Sequence, residues 1–332
     1  MNKKTVGLIG ARGHTGSELI PLLARHPGIE LACVSSRELA GERVSDHVQG
    51  GPEGLTFEAL SPADVAARGL DAVILALPNG VSETFVTALD NASPTTVIID
   101  LSADHRFDAA WTYGQPERNR EAIARATRIA NPGCYATGMQ LALLPFLDLL
   151  ANMPHVFGVS GYSGAGTTPS PKNDPEVLRD NLLPYALTGH IHEREVSEQL
   201  GQEICFIPHV ASFFRGITLT ITCDLTRDIT PEEALERTER LFGDEPLIQI
   251  SKTIPLVRDA AGSHQVHIGG FHTSPEGRRP RKTTEGQPAG PTTKGQLTLV
   301  ATLDNLLKGA ATQALQNLNL TLGFDELEGV PQ

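Results

Sequence analysis

Thr5-Val6-Gly7-Leu8-Ile9-Gly10-Ala11-Arg12-Gly13-His14-Thr15-Gly16 stands near the start of the chain. Its first five residues read as a short apolar strand, and the glycines that follow read as a turn. A helix is predicted over residues 17–25, stopped by His26-Pro27-Gly28, and a second strand over 31–35. A strand, a glycine-rich turn, a helix and a second strand open a dinucleotide-binding domain. The glycines allow the tight turn and let a pyrophosphate approach bare backbone at the helix N-terminus. Gly10, Gly13 and Gly16 follow GxxGxxG spacing rather than GxGxxG, so a tight turn without a ligand is the competing reading.

The end of the second strand chooses the dinucleotide. NAD sites usually carry an acidic residue there for the ribose 2′-OH. This chain has Ser35-Ser36-Arg37, hydroxyls and a guanidinium that suit a 2′-phosphate, so NADP(H) is the expected cofactor. Glu38 follows one residue later, and an ordinary polar loop is the alternative.

Outward from this unit, strands and helices keep alternating. A strand over 71–77 ends at Pro78-Asn79-Gly80 and a helix follows over 81–90. A strand over 96–101 runs into Ser102-Ala103-Asp104-His105-Arg106, and one over 128–130 into Asn131-Pro132-Gly133-Cys134. The alternation predicts an α/β fold with a Rossmann-type doubly wound sheet, whose ligands bind beyond the carboxyl ends of the strands. Pro78, Ser102, Arg106, Asn131 and Cys134 should therefore line one crevice. With a helix predicted over 137–150, Cys134 falls at a strand–turn–helix junction, where the helix dipole favours a nucleophilic thiolate. A buried structural cysteine is the competing reading.

Composition narrows the function. A chain of 332 residues with 40% hydrophobic and 20% charged content is an ordinary globular protein, long enough for two domains. A net charge of −12 argues against nucleic acid or an anionic membrane as partner. An anionic substrate would need a local basic cluster. Cys33, Cys134, Cys205 and Cys223 have no CxxC spacing and read as reduced thiols, so a cytoplasmic location is expected and no metal. The N-terminal residues lack the apolar run of a signal peptide, and no stretch approaches the length of a membrane span.

The second half predicts a mixed α+β domain. Strands are expected over 156–160, 203–206, 216–224, 266–271 and 296–303. Pro208-His209 and Phe213-Phe214-Arg215-Gly216 are read as lying between two of them. Helices are expected over 193–200 and 230–242, the latter with Thr230 as N-cap, Pro231 at N1 and Glu233 at N3. Residues 272–294, rich in Pro, Gly, Thr, Lys and Arg, read as a long loop, and 304–322 as one helix containing Gly309. A cysteine nucleophile needs a proton-transfer partner. His190 and His192 lie two apart, with Glu195 placed to orient His192 if a helix begins there.

Asn131-Pro132-Gly133-Cys134-Tyr135-Ala136-Thr137-Gly138 resembles the catalytic-cysteine motif of the N-acetyl-gamma-glutamyl-phosphate reductases, a family related to aspartate-semialdehyde dehydrogenase. Gly10 to Leu19, Tyr113-Gly114-Gln115-Pro116-Glu117, Ser163-Gly164-Ala165-Gly166, His190-Ile191-His192, Pro208-His209, Arg215-Gly216 and Asp304-Asn305-Leu306-Leu307-Lys308-Gly309-Ala310 resemble family blocks in the same order. The resemblance implies Cys134 as nucleophile, His192 as acid/base with His190 beside it, and Glu195 as orienter. It implies a dinucleotide loop that here holds Arg12, His14 and Thr15. The family usually has Ser where Arg12 stands and Tyr or Phe where His14 stands, so Arg12 either adds a phosphate contact or is simply solvated. The resemblance implies Gly164 and Asn305 at the cofactor, and Ser102, Arg106, Asn131 and Arg215 at the substrate. It further implies a cofactor domain of residues 1–133 and 304–332, completed by the returning C-terminal helix. A catalytic and oligomerisation domain of residues 134–303 would then form a homodimer or homotetramer.

The implied activity is NADPH-dependent reductive dephosphorylation of N-acetyl-gamma-glutamyl phosphate to N-acetylglutamate 5-semialdehyde through a cysteine thioester, in arginine biosynthesis. Two departures concern the substrate's distal end: Thr167 stands where the family often has a basic residue, and Ile191 replaces a common Arg. A related reductase acting on aspartyl, succinylglutamyl or carrier-bound aminoadipyl phosphate is one alternative. A non-enzymatic NADPH sensor is another, and it would need no Cys134/His192 pair.

Overall fold

The computed structural model describes residues 3–274 and 294–331. The chain forms two units, one carrying the residues up to Cys134 and again from Leu306, the other Tyr135–Asn305. The second crossing falls two residues later than the expected 303/304. Asp304 and Asn305 are the cause: their side chains are bonded to Arg215, Gly216 and Gly262 of the second unit.

The first unit contains β1 (Lys4–Ile9), α1 (His14–Arg25), β2 (Ile29–Ser35), β3 (Phe57–Glu58), α2 (Pro62–Ala66), β4 (Ala72–Leu75) and α3 (Ser82–Ala92). β5 (Val97–Asp100), β6 (Thr112–Tyr113), α4 (Pro116–Ile123) and β7 (Arg128–Ala130) follow. All seven strands are parallel, in the order β3-β2-β1-β4-β5-β7-β6. Successive residues of a strand face opposite ways. Leu8, Ile74 and Ile99 therefore pack into one apolar cluster with Leu19, Leu23, Leu315 and Leu318. Ile9, Val73, Leu75 and Ile98 pack into the other with Val65, Phe85 and Leu89. A parallel sheet covered on both faces reads as unbroken apolar runs, as these strands do.

The second unit begins with α5 (Cys134–Leu143), whose first residue ends the first unit, and then β8 (His155–Gly161), α6 (Pro175–Leu178), β9 (Leu182–Pro184) and α7 (Ile191–Leu200). β10 (Cys205–Ala211), β11 (Ile217–Leu225), α8 (Pro231–Phe242), β12 (Ile248–Ser251), α9 (Val257–Ala260), β13 (Val266–Ser274) and β14 (Gly295–Leu303) complete it. The sheet is mixed, in the order β12-β13-β14-β11-β8-β10-β9. Its covered face carries Leu219, Ile221, Leu297 and Leu299, all buried. A Cβ on Gly138 of α5 would meet Leu219 at 2.7 Å, so glycine lets α5 lie tight on this face. The opposite face carries Phe157, Thr218, Thr220, Thr222 and Val300, and Phe157 remains 43% exposed. Thr230 caps α8 as expected, its Oγ1 accepting from Glu233 N at 3.1 Å.

Several boundaries differ from the sequence reading. α1 starts at His14 rather than 17 and α5 at Cys134 rather than 137. Pro208 and His209 lie inside β10, not between strands, and His272 lies inside β13. The helix expected over 304–322 begins at Leu307, with a π-helical turn over Leu307–Ala311 that runs directly into α10 (Thr312–Leu322). The rest of the expected loop, 275–293, lies outside the described residues. Among the described residues, no helix is long and apolar enough to cross a membrane.

Candidate active site

The loops at the carboxyl edge of the parallel sheet carry the candidate residues of the first unit. Gly10 has φ +86°, and a Cβ there would lie 2.2 Å from Ala76 O. A Cβ on Gly16 would lie 2.6 Å from Ala11 O. The protein's own packing thus demands both glycines. Gly13 is different: its φ is −64°, and a Cβ would meet nothing nearer than Gly10 O at 3.7 Å. Gly13 is also the N-cap of α1 and supplies no side-chain cap. Bare backbone at a helix N-terminus fits the pyrophosphate of a dinucleotide. His14 and Thr15 open the same helix, and burial holds His14 below the usual histidine value against the opposing pull of Glu18.

At the end of β2, Ser35 and Ser36 are buried and Arg37 and Glu38 are exposed. The Ser35 Oγ accepts from Leu60 N and the Ser36 Oγ from Leu39 N, each at 3.3 Å. Arg12 reaches back across the loop, its Nε 2.6 Å from Glu38 Oε2. Pro78 is exposed in a loop tied to its neighbour: Gly80 N donates to Asp104 and Ala103 N to Asn79 Oδ1.

Asp100, fully buried at the end of β5, organises the next loop. It accepts from Ser82 Oγ at 2.8 Å, Ser102 N at 3.0 Å and Ser102 Oγ at 2.7 Å, and His105 Nδ1 lies 2.6 Å away. Ser102 is therefore held inside this network. Arg106 donates from Nε to Asn131 O and from a terminal nitrogen to Leu101 O, each at 2.9 Å. Asn131 is fixed from three sides: its N–H donates to Asp100 O at 2.8 Å, and its Oδ1 accepts from Asn317 Nδ2 at 3.0 Å. The same Asn317 nitrogen donates to Gly114 O, where a Cβ would clash at 2.4 Å. These bonds hold the turn Asn131-Pro132-Gly133, and Cys134 follows as the first residue of α5. Cys134 is half-buried between fully buried neighbours. The other three thiols are pushed up by burial, Cys223 to about 12, which keeps them protonated and inert.

The histidines belong to the second unit. His190 is the N-cap of α7, and its Nδ1 accepts from His192 N at 3.1 Å. Burial, reinforced by Lys172, lowers its pKa to about 4. A ring that is neutral at pH 7, with Nδ1 already accepting a backbone hydrogen bond, suits a structural cap better than a proton donor. His192 lies in the first turn of α7, and the fully buried Glu195 is three residues on, on the same helix face. The Tyr135 ring centroid is 6.0 Å from that of His192 and 6.3 Å from that of His190, and the Tyr135 hydroxyl donates to His209 O at 2.9 Å. The residue next to Cys134 thus packs directly on the histidine pair. Glu193 ties the segment down, accepting from Phe206 N at 2.9 Å and Gly189 N at 3.2 Å.

Arg215 forms a two-pronged pair with Asp304, Nε–Oδ2 being 2.5 Å and the second contact 3.1 Å. Asn305 spends its amide within the second unit, accepting from Gly216 N at 2.7 Å and donating to Ser163 Oγ at 2.9 Å. It braces the loop carrying Gly164, whose Cβ would sit 2.8 Å from Ser160 Oγ. Tyr135, Glu193, Asp304 and Asn317 escaped the sequence reading, although Tyr135 and Asp304 stood inside quoted motifs.

A glycine-rich parallel-sheet unit joined to a mixed-sheet unit with a thiol at the junction defines a class of two-domain oxidoreductases. Two family models divide the chain accordingly: semialdehyde dehydrogenase, NAD binding domain, over residues 5–126, and semialdehyde dehydrogenase, dimerisation domain, over 134–280. Solved aspartate semialdehyde dehydrogenases share the fold. That of Francisella tularensis matches with TM-score 0.73 at 18% identity, covering 96% of this chain and 99% of its own. The enzyme of Candida albicans, solved with NADP, matches with TM-score 0.69 at 15% identity over 96% and 98%. Nearer relatives are the N-acetyl-gamma-glutamyl-phosphate reductases of Xanthomonas euvesicatoria, 54% identical over 99% of both chains, and Stenotrophomonas maltophilia, 55% identical over 98% of both. The chain belongs to the N-acetyl-gamma-glutamyl-phosphate reductase family.

Proposed function

We propose that this protein reduces N-acetyl-gamma-glutamyl phosphate to N-acetylglutamate 5-semialdehyde with NADPH, releasing phosphate, as a step of arginine biosynthesis. The observation that carries the chemistry is Cys134 at the start of α5, followed by a tyrosine packed on the histidine pair that begins α7. The relatives' names carry the choice of acyl group.

In this reading the Cys134 thiolate attacks the acyl carbon. Backbone N–H groups at the helix start stabilise the tetrahedral oxyanion, an effect typically worth about 3–4 kcal/mol per donor. Phosphate leaves and a thioester remains on sulfur. When bound, the nicotinamide supplies the hydride that reduces this carbonyl. Hydride addition leaves a thiohemiacetal oxyanion on the cysteine. His192 protonates it, then takes the same proton back as the C–S bond breaks, so that the thiolate is restored and the aldehyde released. Glu195 orients His192, and His190 stays neutral as the cap of α7.

Gly10, Gly13, Gly16, His14 and Thr15 would hold the pyrophosphate. Arg37, Ser35 and Ser36 favour NADP over NAD, with Arg12 able to exchange Glu38 for a 2′-phosphate. Ser102, Asn131, Arg106 and Arg215 shape the substrate region, each through the bonds that brace its loop. The open face of the mixed sheet is the subunit contact of a homodimer or homotetramer. The reaction belongs in the cytoplasm, where thiols stay reduced.

The reverse reaction tests this. Wild-type protein should oxidise N-acetylglutamate 5-semialdehyde with NADP and inorganic phosphate in preference to aspartate or succinylglutamate semialdehyde. Cys134→Ser should abolish that oxidation while binding NADPH as tightly as wild type. Full activity in the variant would end the nucleophile assignment.

A further inference from the structure

The second unit has three half-buried cationic side chains among the described residues: Lys172, Arg215 and Arg237. Arg215 is paired with Asp304 and Arg237 with Asp148. Lys172 has no carboxylate partner among the described residues. Instead its ammonium lies over the ring of Tyr185, Nζ 4.9 Å from the centroid. Tyr185 is in turn 5.6 Å from the His190 ring, and His190 is 4.8 Å from His192. A positive charge is thus carried to the cluster that contains the proposed proton donor. Its proximity also registers in His190, which Lys172 helps to hold neutral.

This position is built rather than incidental. Asn173, the next residue, donates from Nδ2 to both Gly166 O and Thr168 O at 2.8 Å, and its Oδ1 accepts from Ser170 N at 2.8 Å. The loop is folded back onto the end of Ser163-Gly164-Ala165-Gly166. The backbone on which Lys172 stands is therefore fixed from one side of the site. Tyr185, its aromatic platform, is fixed from the other, its N–H donating to Pro208 O at 3.2 Å. A long charged side chain gains little from such placement unless the charge meets something. A solvated lysine stem lying along a tyrosine is the plain alternative.

We propose that Lys172 receives the α-carboxylate of the acyl substrate and so makes the enzyme require a free acid there. The inference rests on the acyl-phosphate reading above. An acidic protein with net charge −12 repels an acyl phosphate that also carries a carboxylate, so a cation beside the histidine cluster, with no carboxylate partner among the described residues, matters for its capture. Both arginines expected at the substrate brace loops, Arg106 through backbone carbonyls and Arg215 through Asp304. Thr167, directly after the Gly-Ser loop, offers no charge, and Lys172 supplies one five residues later.

The test uses the full-length enzyme, NADP and phosphate, with two substrates: N-acetylglutamate 5-semialdehyde and its neutral α-methyl ester. Wild type should prefer the acid. Lys172→Met should raise KM for the acid roughly 10- to 100-fold, the range for a charged hydrogen bond lost from a partly buried site, with kcat nearly unchanged. Kinetics on the ester and KM for NADP should not move. Lys172→Arg should restore most of the preference, and Lys172→Gln serves as a second neutral variant should methionine disturb the loop. An undiminished acid preference in the neutral variants, with wild type active, overturns the assignment to Lys172 and leaves the reaction standing. A wild type that oxidises neither compound overturns the acyl-phosphate reading and this inference with it.

Discussion

His190 illustrates how two local constraints define one side chain. Its Nδ1 must stay an acceptor to cap α7, and its surroundings disfavour charge through burial and Lys172. In the unfolded chain it titrates near the ordinary histidine value of 6.5, in the fold at about 4. Between those values the unfolded state binds more protons, so stability rises with pH across that window. It is fully present above pH 6.5 and lost as pH falls toward 4. The loss is of order 2 kcal/mol, allowing for solvent screening of a ring that is not wholly enclosed. Asparagine keeps a cap acceptor and has no proton to bind. His190→Asn should therefore flatten the acid limb of urea-denaturation midpoints between pH 6.5 and 4, with little change at pH 8. An unaltered acid limb would place the titration elsewhere. At this scale the sequence placed two histidines side by side but did not say what each one bonds to. That two histidines neighbour each other was legible. That one is a neutral cap depends on Tyr135, Tyr185 and Phe206 packing around it from distant positions.

The turn between β1 and α1 separates glycines that the protein's own packing demands from one that it does not. Gly10→Ala must place a Cβ 2.2 Å from Ala76 O at φ +86°, and no flexible side chain can give way. Gly13→Ala meets only Gly10 O at 3.7 Å, at an ordinary φ of −64°. Gly10→Ala should lower the melting temperature by several degrees or more, as expected for a loss of about 2–3 kcal/mol. Gly13→Ala should melt within a degree or two of wild type yet bind NADPH at least tenfold more weakly by fluorescence titration. Equal NADPH affinity in Gly13→Ala would detach this turn from the cofactor. The alternation of strand and helix was legible because buried parallel strands are continuous apolar runs. The starts of α1 and α5 were not, because the residues that precede them, Gly13 and Gly133, have no side chain to signal a cap. Residues 304–322 read as one helix, yet Ala311 N bonds to Leu306 O in a π turn. That turn carries Lys308, fully buried and 2.6 Å from both Glu117 Oε1 and Gln316 Oε1. A buried lysine is tolerated there only because Glu117 arrives from α4, a tertiary fact that no local pattern holds.

Among the described residues of the second unit, one face of the mixed sheet is left open. The strands of the mixed sheet alternate buried and accessible residues, so one face is core and the other open. On the open face the Phe157 ring, 43% exposed, packs on His209 with centroids 4.3 Å apart, beside threonines of β11 and β14. A flat, threonine-rich face centred on an aromatic ring is poorly matched to water and well matched to a copy of itself. The matching family model over this unit is a dimerisation domain. In a twofold contact, a change at Phe157 occurs on both sides of the interface. Phe157→Glu puts two carboxylates into the same contact, which must then desolvate and repel. In an exposed strand position of the isolated subunit the same change costs little. Wild type should sediment as a dimer or tetramer at micromolar concentration, and Phe157→Glu as a monomer with unaltered far-UV circular dichroism. A variant sedimenting with wild-type mass would move the contact off this face, because no arrangement burying Phe157 against its own copy survives two facing carboxylates.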